Sequence, residues 1–191
     1  EDTEHNLWFG TDGNGVLVYS PDLVQFQKSN IGFIRCMTVF NNAIWAGTFN
    51  NGLWKLSFDL SNASRINPGH FGNDIYFLDL AADDRGRLWI VTRNGVEVIN
   101  NRAEKVWQYP FSCLNAKFIN QGKDSLLLVY DNHLLRFRTS QVPVCYGSDL
   151  FLPARAFVEW QGHYWIGSAD GLTRYETKNG LTNPINFYNR S

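Results

Sequence analysis

Four charged residues recur at one distance ahead of four apolar segments. Ten residues before positions 45, 89, 127 and 165 stand Arg35, Asp79, Lys117 and Arg155, each in an otherwise apolar stretch. Three cations and one anion in register can do two things. They can pair with one another as solvated salt bridges, which is the plainer expectation. They can instead hold an acidic ligand, such as a carboxylated or sulfated sugar, because the planar fork of Arg meets such a group with two parallel hydrogen bonds. A second set of ligand-type residues lies in the polar turns after the segments: Phe49, Asn50, Arg93, His133 and Asp170. Aromatic and amide groups contact sugars, but turns favour Asn and Asp whatever they bind.

Reactive chemistry has no such signature. The chain holds no HExxH, no GxSxG, no phosphate-binding glycine loop and no EF-hand loop. His5, His70, His133 and His163 share no metal spacing, so neither a catalytic residue, a metal nor a cofactor is expected. Asp83 and Asp84 fall in a turn, where Asp is ordinary. The net charge of −1 comes from scattered residues without a Lys/Arg block, which argues against nucleic acid as a partner. Cys36, Cys113 and Cys145 lie outside any CxxC or zinc spacing. Buried apolar thiols are expected, with a Cys113–Cys145 bridge left open. No apolar run is long enough to span a bilayer, and the acidic opening EDTEH is not that of a secretory leader.

The elements that carry these residues repeat. Asn6–Thr11, Ala43–Thr48, Arg87–Thr92, Ser125–Tyr130 and His163–Ser168 align on positions 8, 45, 89, 127 and 165, in steps of 37, 44, 38 and 38 residues. A period near forty is that of a four-stranded blade. After each segment comes a tight-turn sequence: Asp12–Gly15, Asn50–Gly52, Arg93–Gly95, Asp131–His133 or Ala169–Gly171. Asn-Gly and Asp-Gly tolerate the positive φ that a two-residue hairpin needs. A further apolar strand follows each turn. In repeats two to five another strand precedes the segment, and an outer strand such as Lys105–Tyr109 or Ile185–Tyr188 closes the unit. No helical periodicity of useful length appears.

The expected fold is therefore all-β: a β-propeller of four-stranded antiparallel blades, with repeats near 1–30, 31–72, 73–112, 113–150 and 151–191. The first repeat lacks its inner strand, so residues 1–191 read as part of a larger ring. Stacking the sheets radially buries faces that one meander cannot bury alone. Inner strands line the channel of such a ring, so Arg35, Asp79, Lys117 and Arg155 are expected at equivalent positions around it. Trp8, Trp45, Trp89 and Trp165 hold the repeat position, where packing between blades accounts for them. Trp54, Trp107 and Trp160 stand outside it, and Trp160, next to a turn, is placed for exposure.

Asp84-Arg85-Gly86-Arg87-Leu88-Trp89-Ile90-Val91-Thr92-Arg93-Asn94-Gly95-Val96 resembles the two-component regulator propeller repeat. So do Asn6–Thr11 with Gly15, and Tyr164–Ser168 with Asp170-Gly171-Leu172. The fourth repeat departs from the pattern: Leu127 stands for Trp, Tyr130 for Thr and His133 for Gly. The resemblance implies the periplasmic sensor region of a hybrid two-component receptor. There, seven-bladed propellers precede an immunoglobulin-like domain, a membrane helix and a histidine kinase, and the signals are glycan breakdown products. The implied partners are an oligosaccharide or other small ligand and the remaining receptor domains, with a homodimer possible. Two alternatives come from other classes: a lyase or glycoside hydrolase on a propeller scaffold, and a non-catalytic dimerisation module.

Overall fold

β-branched and aromatic residues in short runs, punctuated by Asn, Asp and Gly, fold as strands joined by tight turns. The computed structural model describes residues 6–11, 15–19, 24–27, 31–66, 75–114, 116–120, 125–131, 133–139, 142–150, 154–168, 171–176 and 182–186. Among them there is no helix. The chain divides into two compact units, Glu1–Cys113 and Leu114–Ser191.

The first unit holds three antiparallel meanders. One has three strands, β1 (Leu7–Thr11), β2 (Gly15–Tyr19) and β3 (Val24–Gln27). The next has four: β4 (Ile34–Phe40), β5 (Ala43–Thr48), β6 (Leu53–Leu56) and β7 (Ala63–Ile66). The third is β8 (Phe77–Ala82), β9 (Leu88–Thr92), β10 (Gly95–Ile99) and β11 (Lys105–Pro110). The second unit holds two four-stranded sheets. One is β12 (Ala116–Asn120), β13 (Ser125–Tyr130), β14 (His133–Arg138) and β15 (Val144–Leu150). The other is β16 (Ala154–Trp160), β17 (His163–Ser168), β18 (Gly171–Glu176) and β19 (Thr182–Asn186). The strands read from sequence are thus present, and the first sheet has three strands among the described residues. The expected outer strand Ile185–Tyr188 is seen as far as Asn186; its last two residues lie outside the described segments.

Within the first unit the repeat residues explain themselves by contact. Trp45 shares a core cluster with Cys36, Phe40 and Leu53 of its own sheet and with Phe77, Leu80, Leu88 and Ile90 of the next. Gly47, two residues on, permits that approach. A Cβ there would stand 2.7 Å from Phe77 Cβ and 2.8 Å from Cys36 Sγ. The repeat Thr closes the following turn: Thr48 Oγ1 donates to the Gly52 carbonyl at 2.7 Å, and Asn94 N donates to Thr92 Oγ1 at 3.2 Å. Gly95 adopts φ +127°, and a Cβ would collide with the β11 backbone. The fourth repeat lacks this Thr–Gly pair and instead stacks Tyr130 on His133, at 4.9 Å and 12°. Cys36 and Cys113 are buried thiols rather than half-cystines.

Turn length differs between sheets. Phe40 pairs with Ala43 across Asn41-Asn42, both at positive φ (47° and 58°), as a two-residue hairpin requires. Trp160 pairs with His163 across Gln161-Gly162 in the same way. In the third sheet Ala82 pairs with Leu88, leaving a five-residue turn, Asp83–Arg87. The Trp N–H finds its acceptor accordingly. Trp45 Nε1 donates to the Phe40 carbonyl at 3.0 Å, whereas Trp89 Nε1 donates to Asp83 Oδ2 at 2.8 Å.

Candidate functional site

The turn lengths decide where the recurrent charges fall. Trp45 and Trp165 face partners seven residues back, Thr38 and Val158, but Trp89 and Leu127 face partners eight back, Ala81 and Ile119. A fixed count of ten therefore reaches two different positions. Arg35 and Arg155 are the unpaired residues of β-bulges, between Ile34 and Cys36 and between Ala154 and Ala156. Asp79 and Lys117 are the next, paired residues, opposite Val91 and Val129. Leu78 holds the bulge position of the third sheet. The expectation of one equivalent charged position is corrected: a slip of one residue moves a strand side chain to a different place. Lys117 is exposed, and the Arg155 side chain and Asp170 lie outside what the structure describes.

The bulge puts Arg35 at the open end of its strand, and there the second and third sheets meet. The turn after each Trp strand is hydrogen-bonded to the entry of its own inner strand: Phe49 N donates to the Phe33 carbonyl at 2.8 Å, and Arg93 N to the Tyr76 carbonyl at 3.2 Å. Turn residues and inner-strand entries therefore share one end of the sheets, as expected from sequence. Tyr76 lies between the two sheets' contributions. Arg35 Nη1 donates to Tyr76 Oη at 2.9 Å, and the Arg35 guanidinium lies 4.7 Å from the ring centroid. The Arg93 guanidinium lies 3.9 Å from the same centroid. Phe49 meets that ring edge-on at 4.9 Å.

Both distances are within cation–π range. Arg35 and Arg93 are exposed and make no ion pair among the described residues, so the salt bridge expected for Arg35 is replaced by its contacts with Tyr76. Two like charges gathered on one ring repel, and an anion placed against both removes that repulsion. Exposed Phe33 and Phe49 flank the pair with apolar rings. Of the turn residues proposed from sequence, Arg93 joins this cluster. Asn50 is exposed at φ +62°, which its turn requires. His133 belongs to the Tyr130 stack of the other unit, with Nδ1 buried and without a hydrogen-bond partner among the described residues. Sequence reasoning missed Tyr76 and Phe33, which precede the inner strands and carry no repeat signature.

No protein-family model matches the chain, and no curated protein matches it in sequence. Solved structures do match. The extracellular domain of the hybrid two component system BT3049 from B. thetaiotaomicron superposes at TM-score 0.76 and 20% identity, over 97% of this chain and 28% of that one. The corresponding domain of BT4673 from the same organism gives 0.71 and 19%, over 97% and 26%. The β-propeller domain of Myceliophteria thermophila Cps50 (Swd1) gives 0.72 and 12%, over 97% and 71%. The fold is a β-propeller. Its blades are the sheets described above, and the chain spans under a third of the length of the two bacterial domains. In propeller terms, Arg35 stands on the inner strand of its blade, and Tyr76 precedes that of the next.

Proposed function

We propose that the chain is a non-catalytic ligand-recognition segment in the extracytoplasmic sensor region of a two-component signalling receptor. Its ligand is an acidic, glycan-derived molecule. The observation that carries this reading is the Arg35–Tyr76–Arg93 cluster: two exposed guanidinium groups on one ring, flanked by exposed phenylalanines. The likeness to extracellular domains of hybrid two component systems supports the sensor role. Arg forks suit carboxylate or sulfate, and the rings suit the apolar face of a sugar. Among the described residues, the groups on the Tyr76 ring are two guanidiniums and a phenyl ring, which suit the binding of an anion.

Calorimetry with uronate-containing, sulfated and neutral oligosaccharides tests the site. A hydrogen bond to a charged group contributes about 1.5–3 kcal/mol, so Arg35→Ala and Arg93→Ala should each weaken acidic ligands roughly 10- to 100-fold. Added salt should weaken them too. Unchanged affinity in the double variant, or equal binding of neutral sugars, overturns the assignment. The signalling role predicts a membrane-spanning helix and a histidine kinase encoded downstream in the same gene; their absence would refute it.

A further inference from the structure

Tyr76 is held in place by the blades around it. Its neighbour in the chain, Phe77, is fully buried in the cluster that contains Trp45. Its own carbonyl accepts from Arg93 N at 3.2 Å. Phe49 meets its ring at 4.9 Å and 83°, the edge-on arrangement that aromatic pairs favour. A ring fixed in these ways presents its hydroxyl in one place.

That hydroxyl has a hydrogen left to give. A phenol oxygen accepts through its lone pairs and donates its single hydrogen. Arg35 Nη1 donates to Tyr76 Oη at 2.9 Å, so the hydroxyl is the acceptor in that bond and its hydrogen points elsewhere. No side chain that meets Tyr76 among the described residues can receive it. A guanidinium donates at every nitrogen and accepts at none, which excludes Arg35 and Arg93. Phe49 brings no polar atom. The bond accepted from a cation also polarises the O–H and strengthens it as a donor. Arg35 keeps its Nε and Nη2 hydrogens, and the Arg93 guanidinium makes no hydrogen bond among the described residues. The cluster is therefore rich in donors and holds no acceptor of its own.

We infer that Tyr76 binds the ligand directly and sets the specificity of this site: its O–H donates to the same anionic group that the Arg35 and Arg93 forks hold. The inference rests on the acidic-ligand reading above and adds a third donor to it. An ionised carboxylate or a sulfate ester fits such a site because its terminal oxygens only accept. A sugar hydroxyl brings a hydrogen of its own, for which the cluster has no acceptor.

Calorimetry with trigalacturonate, which carries only carboxylates, and galactose 6-sulfate, which carries only a sulfate, tests it and tells the two acid groups apart. Tyr76→Phe keeps the ring that both guanidiniums lie against and removes the hydroxyl alone. It should weaken whichever acidic probe the wild type binds by about 10-fold or more. The decisive comparison is in the Arg35→Ala background. A hydroxyl that only positions Arg35 has nothing left to position there, and Tyr76→Phe would then be silent. A hydroxyl that bonds the ligand still costs about 10-fold when it is removed. The Arg35–Tyr76 bond is exposed, so the thermal midpoint of Tyr76→Phe should match that of the wild type. Fully methyl-esterified, neutral trigalacturonate should bind the wild type and Tyr76→Phe equally weakly. Unchanged acidic binding in Tyr76→Phe, or a loss that vanishes in the Arg35→Ala background, overturns this inference and leaves the ligand reading standing. A wild type that binds neither acidic probe overturns both.

Discussion

Removing the Asp83 carboxylate should cost the first unit about 4 kcal/mol, because it breaks a buried ion pair and leaves its partner charged. The structure shows why. Asp83 Oδ1 accepts from the backbone N–H groups of Arg85 and Arg87, each at 2.9 Å. Oδ2 accepts from Arg87 Nε, Arg87 Nη2 and Trp89 Nε1, each at 2.8 Å. The Asp83 side chain is 3% exposed and that of Arg87 10%, so water cannot replace the lost acceptor. In Asp83→Ala the turn loses its organiser, and the indole N–H and the guanidinium both lose their bonds to this carboxylate. Against a typical domain stability of about 5–15 kcal/mol, such a loss is large. Urea unfolding followed by Trp fluorescence measures it. Asp83→Ala/Arg87→Met removes the buried cation as well and should recover part of the loss, since a buried ion pair replaced by apolar groups is often neutral. Asp59 is the control: its carboxylate also organises a turn, through Ser57 and Ser61, but in full exposure. Asp59→Ala should leave the midpoint nearly unchanged. A loss under about 1 kcal/mol for Asp83→Ala, at the level of a single ordinary hydrogen bond, would refute the reasoning. So would a double variant less stable than the single.

Two further outcomes follow from packing and burial. Gly95→Ala would drive a Cβ into the Tyr109 carbonyl oxygen at φ +127° and should cost more than the roughly 1–3 kcal/mol of ordinary overpacking. Gly86→Ala, at φ +69° with open space around it, should cost only about 1 kcal/mol, and thermal unfolding of the two variants checks the order. Burial, reinforced by the nearby Asp79 carboxylate, pushes the Cys36 thiol far above its ordinary 9.0. The unfolded chain therefore releases this proton first as pH rises. The Cys36 contribution to stability is full below about pH 9 and declines above it, by at most about 1.4 kcal/mol per pH unit, towards the folded value. Cys36→Val should remove that part of the alkaline slope, and native wild-type Cys36 should react with a thiol reagent only on unfolding.

The repeat was legible because its residues have local duties that recur from blade to blade, the fourth excepted. Trp45 and Trp89 are both fully buried, Thr48 and Thr92 close equivalent turns, and Gly47 in its strand and Gly95 in its turn each stand where a Cβ would strike a neighbour. Such duties depend on residues close in sequence or one period away, so spacing reveals them. The site was only half legible. Arg35 and Arg93 stood out as charges in apolar or turn surroundings, but the count that linked Arg35 to Asp79 assumed turns of one length. The two-residue turn at Asn41-Asn42 and the five-residue turn at Asp83–Arg87 set the inner strands one residue out of step. Tyr76 escaped notice for a different reason. It serves no repeat duty, and its ring acquires meaning only where one blade's inner-strand bulge meets the next blade's turn. What a period displays is what blades share, whereas this cluster is built from what two adjacent blades do not share. Binding specificity in such a fold is therefore expected in the residues that the repeat leaves unconstrained, at the strand entries and turns.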